Sequence, residues 1–377
     1  MPYFAIATGI LTVVCGVLVI YPYTIYPLLL RLFPARPVRR RAGERVSATL
    51  VFCAYNEERN MPDKIANLEA IRAAHPDIQF LAFDDGSTDA TAHLLAARPD
   101  LIELIQGGGR NGKAHGMKLL VARATGDIVI FTDANVLLRE DAVDNLAAWY
   151  ADPEVGGVCG SLQYIGGGSS MTASVGAAYW RLEEHIKQQE SRTGNVMGAD
   201  GSIFSLRRSL YPEFPDSVLD DLTVSMAAVF AGRRLIKVED VVAFERLVSV
   251  RGEEFARKVR IAARAYHTHM HLCPQLGRMQ LSDRFKYASH RSIRWFGGVF
   301  LVLCVMGFIG FIAAFSAALA LATTVAILAL PFLALRFQRG PVAAVLEICL
   351  AMFATLIGVF RAIRGQTVVT WAPAKSR

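Results

Sequence analysis

The sequence predicts an α/β protein whose middle folds as a mostly parallel sheet and whose ends cross a membrane as helices. Three observations lead there. Apolar residues make up 53% of the 377 positions and are concentrated towards the two ends. The middle alternates short apolar strands with amphipathic helices. The strands also finish in polar, acidic or glycine-rich tips, as expected where such a sheet carries its ligand.

The ends come first. Residues 4–33 hold no charge before Arg31, residues 296–335 hold none over 40 positions, and residues 341–360 hold only Glu347. A run of about 20 apolar residues spans a bilayer as a helix, so the 40-residue run predicts two spans with a turn near Ala313–Ser316. The first run lacks a basic leader and a small-residue cleavage site, so it reads as a retained anchor rather than a signal peptide. These limits give a transmembrane helix over 1–35, a cytosolic domain over 36–272, an amphipathic interfacial helix over 273–295, about three transmembrane helices over 296–360, and a basic tail over 361–377.

The cluster "RPVRRRAGER" follows the first helix and marks the cytoplasmic side, which places the middle in the cytosol of a multi-pass inner-membrane protein. The net charge of +7 then implies attraction to anionic lipid. No basic–aromatic pattern of the RNA-binding kind occurs, so nucleic acid is not an expected partner. One span before the domain and three after it put both termini outside, whereas the basic tail favours the cytosol. The sequence leaves that conflict open. Six scattered cysteines without a C-x-x-C pair imply neither a disulfide framework nor a zinc site.

In the middle, "SATLVFCAY", "IQFLAFDDG", "LIELIQG" and "DIVIFTDA" read as strands. "RNMPDKIANLEAIRAAH", "STDATAHLLAARP" and "KAHGMKLLVARAT" read as the helices between them, the second capped by Ser87 or Thr88. The strand tips are Tyr55-Asn56-Glu57, Asp84-Asp85-Gly86-Ser87, Gly107–Lys113 and Asp133-Ala134-Asn135. Any one of them is ordinary turn chemistry; four converging on one edge point to a site. "GGGRNGKAHG" is not a triphosphate loop, because Ala114 follows Lys113 where Ser or Thr is needed, and no G-x-G-x-x-G follows the first strand. A carboxylate-rich edge beside one lysine remains, suited to a nucleotide, its diphosphate and a metal.

On these residues the chain resembles the membrane-embedded family 2 glycosyltransferases, the inverting GT-A enzymes that include cellulose, hyaluronan and chitin synthases. "CAYNE", "DDGSTD", Gly112-Lys113-Ala114, "TDAN", "GADGSIFSLRR" and "VLDDLTVSM" match the family's ordered motifs over about residues 50–260. The resemblance implies a GT-A fold and assigns roles by position. Tyr55 and Glu57 border the nucleotide, Asp84 and Asp85 contact uracil and ribose, and Lys113 meets the diphosphate. Asp133 holds Mg²⁺ or Mn²⁺, with Asn135 as a weak ligand. Gly198, Asp200 and Gly201 line the sugars. Asp221 is the general base, and Asp220 stands at the family's glutamate. A single base suffices for direct displacement at the anomeric carbon, and a divalent cation offsets charge on the leaving diphosphate.

Two departures bear on the product. Where processive members carry Gln-x-x-Arg-Trp, this chain has "RKVRI", so Ile261 replaces the tryptophan that holds the acceptor sugar. Arg257 and Arg260 either touch diphosphate or belong to a basic helix lying on the membrane. "RSIRW" at 291–295 reads as an interfacial Arg/Trp anchor, and His267, His269 and His271 as headgroup-level side chains. The expected function is hexosyl or N-acetylhexosaminyl transfer from a UDP-sugar to a lipid-linked or polysaccharide acceptor in cell-surface polysaccharide synthesis. The reading admits a homo-oligomer or a polysaccharide-assembly complex. A processive synthase coupled to export, and a non-catalytic scaffold that binds nucleotide sugars, are the alternatives. A solute transporter fits worst, because only Glu347 is charged within the spans.

Overall fold

Apolar strands that end in glycine- or aspartate-rich turns pair side by side in a computed structural model that describes residues 2–43, 46–165, 171–246, 251–336, 340–366 and 370. The chain opens with α1 (Pro2–Ile20) and the short α2 (Ile25–Leu30). It then alternates β1 (Ala48–Ala54), α3 (Met61–Ala74), β2 (Gln79–Asp84), α4 (Thr91–Ala96), β3 (Glu103–Gln106), α5 (Lys113–Arg123) and β4 (Ile128–Thr132). The second half contains β5 (Leu137–Leu138), α6 (Ala142–Tyr150), β6 (Val155–Ile165), α7 (Met171–Arg192), β7 (Ile203–Arg207), α8 (Asp220–Phe230) and β8 (Arg234–Arg246).

One eight-stranded sheet results, in the order β3-β2-β1-β4-β7-β6-β8-β5. The first four strands are parallel, whereas β7 runs antiparallel to both β4 and β6. Successive residues of β1 face opposite layers. Leu50 and Phe52 pack with Met61, Leu68 and Ile71 of α3, while Val51 and Cys53 pack with Met117 and Leu120 of α5. Both faces are dry, which is why β1 is buried at all seven positions and reads as an unbroken apolar run. Turn chemistry departs from the expectation at α4: Ala90 is its N-cap, and Asp89 rather than Ser87 or Thr88 accepts from the Thr91 amide at 3.0 Å.

The rest is helical: α9 (Arg251–Leu276), α10 (Leu281–Tyr287), a π-helical turn over Ala288–Ser292, α11 (Ile293–Trp295), α12 (Gly297–Ala313), α13 (Ala317–Arg336) and α14 (Pro341–Ile363). Residues 273–295 are thus not one amphipathic helix, because the chain breaks after Leu276 and bends by 63° between the 281–295 and 297–313 segments. The turn between α12 and α13 falls at 314–316, where the sequence places it. Among the described residues, α1 and α14 are long and apolar enough to cross a membrane. The basic tail expected over 361–377 lies outside the described residues beyond Gln366, residue 370 apart.

α14 also braces the sheet domain. A Cβ on Gly358 would lie 2.5 Å from the Val259 carbonyl oxygen and 2.8 Å from the Ala263 amide, so α14 touches the backbone of α9 itself. α9 in turn holds the entry to α8: Arg264 donates to the Val218 carbonyl at 3.1 Å, and the Leu219 amide donates to Thr268 Oγ1 at 2.8 Å. Gly358→Val therefore forces two helix backbones apart, with an expected cost of about 1–3 kcal/mol. A lower thermal midpoint of the detergent-purified protein checks this; an unchanged midpoint would show that the crossing is not tight in solution.

Candidate active site

Four loops at the carboxyl edge of the parallel strands bind one another before any ligand is considered. Asn56, at φ 53°, turns the chain after β1. Its amide donates to Ser87 Oγ at 3.0 Å, and its Oδ1 accepts from the Thr88 amide at 2.8 Å. The Glu57 amide donates to Thr91 Oγ1 at 2.8 Å, and Glu57 Oε2 accepts from Asn60 at 2.6 Å. Asp84 accepts from the Ser87 amide at 3.2 Å. The fully buried Asp85 accepts from the amides of Asn111 and Gly112 at 2.7 and 2.9 Å and from Arg110 Nε at 3.3 Å. Arg110 lies 3.3 Å from the centroid of the Tyr55 ring. Asp85 therefore shapes the glycine loop, and Tyr55 with Arg110 forms a flat, cationic ledge beside it.

Lys113 opens α5 and directs its ammonium into a group of carboxylates. Its Nζ is 2.7 Å from Asp133 Oδ1 and 3.5 Å from Asp220 Oδ2. Burial alone would lower the lysine's pKa, but Asp133, Asp220 and Asp221 together raise it well above its ordinary value. The two acids at the start of α8 differ. Asp220 is buried against Lys113, whereas Asp221 is half-buried and accepts from the Leu222 amide at 2.6 Å. Burial, followed by the charge of Asp220, pushes Asp221 up to about 6, and Lys113 opposes the rise. Gly201 lies over this group: a Cβ there would be 3.2 Å from Lys113 Nζ, 3.6 Å from Asp221 Oδ2 and 3.7 Å from Asp133 Oδ2. Lys113, Asp133, Asp220, Asp221 and Gly201 thus come together as the sequence order suggests.

Other expected residues stand further out. Asn135 donates to Glu245 Oε1 of β8 at 3.1 Å. Arg257 is paired with Glu254 at 3.3 Å, and the charges of Glu254 and Glu245 outweigh its burial and raise its pKa; Arg260 sits one turn further along α9. Asp200 is held by Lys187 of α7 at 2.8 Å. His267 meets Ser217 Oγ at 3.2 Å, and His269 stacks on Tyr287 and packs against Trp295. No group of three or more His, Cys, Asp or Glu side chains able to hold a metal occurs among the described residues. Asp133, with its side chain about one-third exposed, is a hard oxygen donor at the lip of the site. One such carboxylate, with water and substrate phosphate, meets the needs of Mg²⁺.

Several residues that position the site escaped the sequence reading. Lys64 is fully buried within α3, and its ammonium donates to the carbonyls of Asp133 and Val136 at 3.1 and 2.7 Å, fixing that turn from beneath. Burial pushes it down to about 7. The "RSIRW" segment is not a membrane anchor. Arg291 donates to the carbonyls of Met197 and Gly198 at 2.9 and 3.2 Å, Arg294 pairs with Glu183 at 2.6 Å, and Trp295 is buried. Beside them His290 lies between Glu183 and Glu190 at 2.7 and 2.8 Å, and Tyr26 of α2 donates to Glu190 at 2.6 Å. Gly198, at φ 103°, is clamped by this assembly. The only signal in the sequence was charge within segments otherwise apolar enough to be buried.

Residues 49–214 match the glycosyl transferase family 2 profile. An N-acetylglucosaminyltransferase of Azorhizobium caulinodans is 28% identical over 137 residues, 35% of this chain and 34% of that protein. One of Rhizobium meliloti is 31% identical over 99 residues, 26% of this chain and 23% of that protein. The chain thus spans about a third or less of the length of these relatives. The mannosyltransferase PcManGT from Pyrobaculum calidifontis, solved in complex with GDP-Man and Mn²⁺, shares the fold. It superimposes at a TM-score of 0.75 over 94% of this chain and 99% of that one, at 21% identity.

Replacing Lys64 by Met leaves two buried carbonyls without a donor, at a cost of about 1–3 kcal/mol, and frees the Asp133 turn. The expected result is a lower thermal midpoint together with a loss of catalytic rate larger than that of a surface Lys→Met control; equal rates would reduce Lys64 to a packing residue.

Proposed function

This chain carries a glycosyl transferase family 2 domain, and we propose that the domain inverts the anomeric centre of a UDP-linked sugar as it transfers it to a lipid-linked or polysaccharide acceptor at the cytoplasmic face of a membrane. The observation that carries this reading is the convergence of Asp221, Lys113 and Asp133 around Gly201. Asp221 is the general base. It is half-buried and, at about 6, deprotonated at neutral pH yet more basic than an ordinary carboxylate, which suits removal of a proton from an acceptor hydroxyl. The new bond forms between the acceptor oxygen and the anomeric carbon, and the bond to the diphosphate oxygen breaks. The leaving group departs as the nucleoside diphosphate.

Lys113, fully charged in its carboxylate surroundings, places positive charge beside that leaving group. Asp133 would hold a divalent cation, Mg²⁺ or Mn²⁺, which when bound offsets the remaining phosphate charge; the Mn²⁺ of the mannosyltransferase supports a cation on this fold. Tyr55 and Arg110 offer a face for the base, while Glu57, Asp84 and Asp85 rim the nucleotide end of the edge. Gly198, Asp200 and Gly201 form the acceptor-side loop. Gly201 has no side chain, so a sugar can approach both Lys113 and Asp221. Arg257 and Arg260 lie on the outer side, toward Glu245.

The acceptor assignment rests on α1 and α14, apolar enough to cross a bilayer, and on the α9–α14 crossing that brings such a helix to the domain. Single transfer is favoured over polymerisation. Ile261 stands 41% exposed at the position of the processive tryptophan, and Trp295 is buried against Tyr266 and His269, where no sugar can stack on it. UDP-N-acetylglucosamine leads the donor screen, because both relatives bear that activity in their names.

Asp221→Asn is expected to lower transfer about 10²–10⁴-fold, measured as nucleotide release from UDP-sugars with membrane extract as acceptor. A variant that still turned over would move the base elsewhere. The rate of the unaltered protein should fall as pH drops through about 6, where Asp221 takes up its proton. Asp220→Asn removes the neighbouring negative charge, so the acidic limb should move to lower pH. An unmoved limb would assign it to another group. Asp133→Ala should abolish metal-dependent transfer and Asn135→Asp should be tolerated, as read from the dependence of rate on Mg²⁺ or Mn²⁺; activity in Asp133→Ala would return the triplet to a turn.

A further inference from the structure

A second cleft, of about 720 Å³, opens at the far end of α8 from Asp221, between that helix, the chain leaving α2, and the elbow joining α9 to α10. The helix has 11 residues, so at about 1.5 Å per residue the two sites stand roughly 16 Å apart along it. Four arginines line the cleft, Arg36, Arg233, Arg234 and Arg278, and the fully buried Lys286 lies behind it: a Cβ on Gly194 would be 3.2 Å from its ammonium and 4.0 Å from the Arg36 guanidinium.

Two carboxylates line the cleft with these cations, and from behind it Asp152 acts on Arg234 and Glu190 on Lys286. Glu154 is exposed, and Asp283 already accepts from Asn195 at 2.9 Å. None of the five cations forms an ion pair with any described residue. Arg234 donates to the carbonyls of Arg36, Ser191 and Gly194 at 2.9, 3.0 and 2.8 Å, and Lys286 to those of Glu190 and Asn195 at 3.1 and 3.4 Å. Carbonyls satisfy their hydrogen bonds but carry no net charge, and the carboxylates nearby do not outweigh the burial of Arg234 and Lys286, which lowers both pKa values. Arg36 and Arg278 are exposed at the mouth, ready to grip an anion in the forked geometry that guanidinium offers phosphate. Leu32, four residues before Arg36, and Leu281, three residues after Arg278, are 81% and 79% exposed, apolar side chains of the kind that sit in a lipid interface.

We propose that this cleft binds a phosphate group, carried by a lipid headgroup or free in solution. The chemistry is the same for both sources; the lipid source rests on the membrane reading above, and the free source does not. The site lies outside the transfer centre, so its occupancy is separable from catalysis.

The test uses the full chain purified in neutral detergent. Short-chain phosphatidylglycerol and, separately, inorganic phosphate are titrated, with the thermal midpoint as readout and native mass spectrometry counting bound lipid. Saturable stabilisation is expected, with apparent affinity roughly tenfold or more weaker in Arg36→Ala/Arg278→Ala, a loss of at least one charge-assisted contact. Lipid acting at far lower concentration than phosphate assigns the headgroup; phosphate acting as well as lipid, with the same sensitivity to the double variant, assigns the free ion. No saturable effect from either probe, or identical curves for the two proteins, overturns the proposal. Both replaced residues are exposed and away from Lys113 and Asp221, so transfer by the double variant should match the unaltered protein. Failure of the transferase reading would leave these curves unchanged.

Discussion

One ammonium among three carboxylates organises the carboxyl edge of the sheet. Without Lys113, Asp133, Asp220 and Asp221 would present three like charges gathered round one point, and like charges so placed cannot all stay ionised. With it, Asp220 is paired in the interior, while Asp221 stays partly exposed, its pKa raised by burial and by Asp220 against the opposing charge of Lys113. Two adjacent acids on one helix thus become different groups, one packed against the lysine and one open to the loop at Gly201. The same lysine fixes the start of α5, whose preceding loop is held by Asp85, so charge balance and loop shape are set by one element.

The loop at Gly198 rests on a second buried assembly. Glu183 and Glu190 of α7 bind His290 and Arg294, Tyr26 closes the group from α2, and Arg291 reaches from the same turn to the loop at Gly198. Buried charges of this kind hold geometry more than they add stability. Here they tie three segments far apart in sequence: α2, the loop at Gly198 and the turn before α12.

The first half of the sheet was legible because its strands are short apolar runs closed by Gly, Asp and Asn, joined by single helices, with only β4 crossing back to pair with β1. The second half was not. In β8, "RLIKVEDVVAFER" buries Arg234 against carbonyl acceptors and Lys237 against the Glu184 carboxylate and the Gly160 carbonyl, so its charges imitate a solvent-facing segment. β7 enters antiparallel, which no local pattern announces. At the site, Asp133, Lys113 and Asp221 stood out because acids and a lysine at strand tips have few bland explanations. Lys64 was hidden in the polar face of an amphipathic helix, where a lysine is ordinary. "RSIRW" reads as an interfacial anchor because its charges adjoin an apolar run; the fold turns both arginines inward.

The crossing at Gly358 has a bearing on biosynthesis. All eight strands have left the ribosome by Arg246, but the helix that braces α9, and through Thr268 the entry to Asp221, is encoded about a hundred residues later. The sheet can therefore assemble while the polypeptide is still being made, whereas the entry to α8 gains its full brace only once α14 has been made and has packed on α9. Strand pairing and the fixing of Asp221 are thus separate events in the order of synthesis.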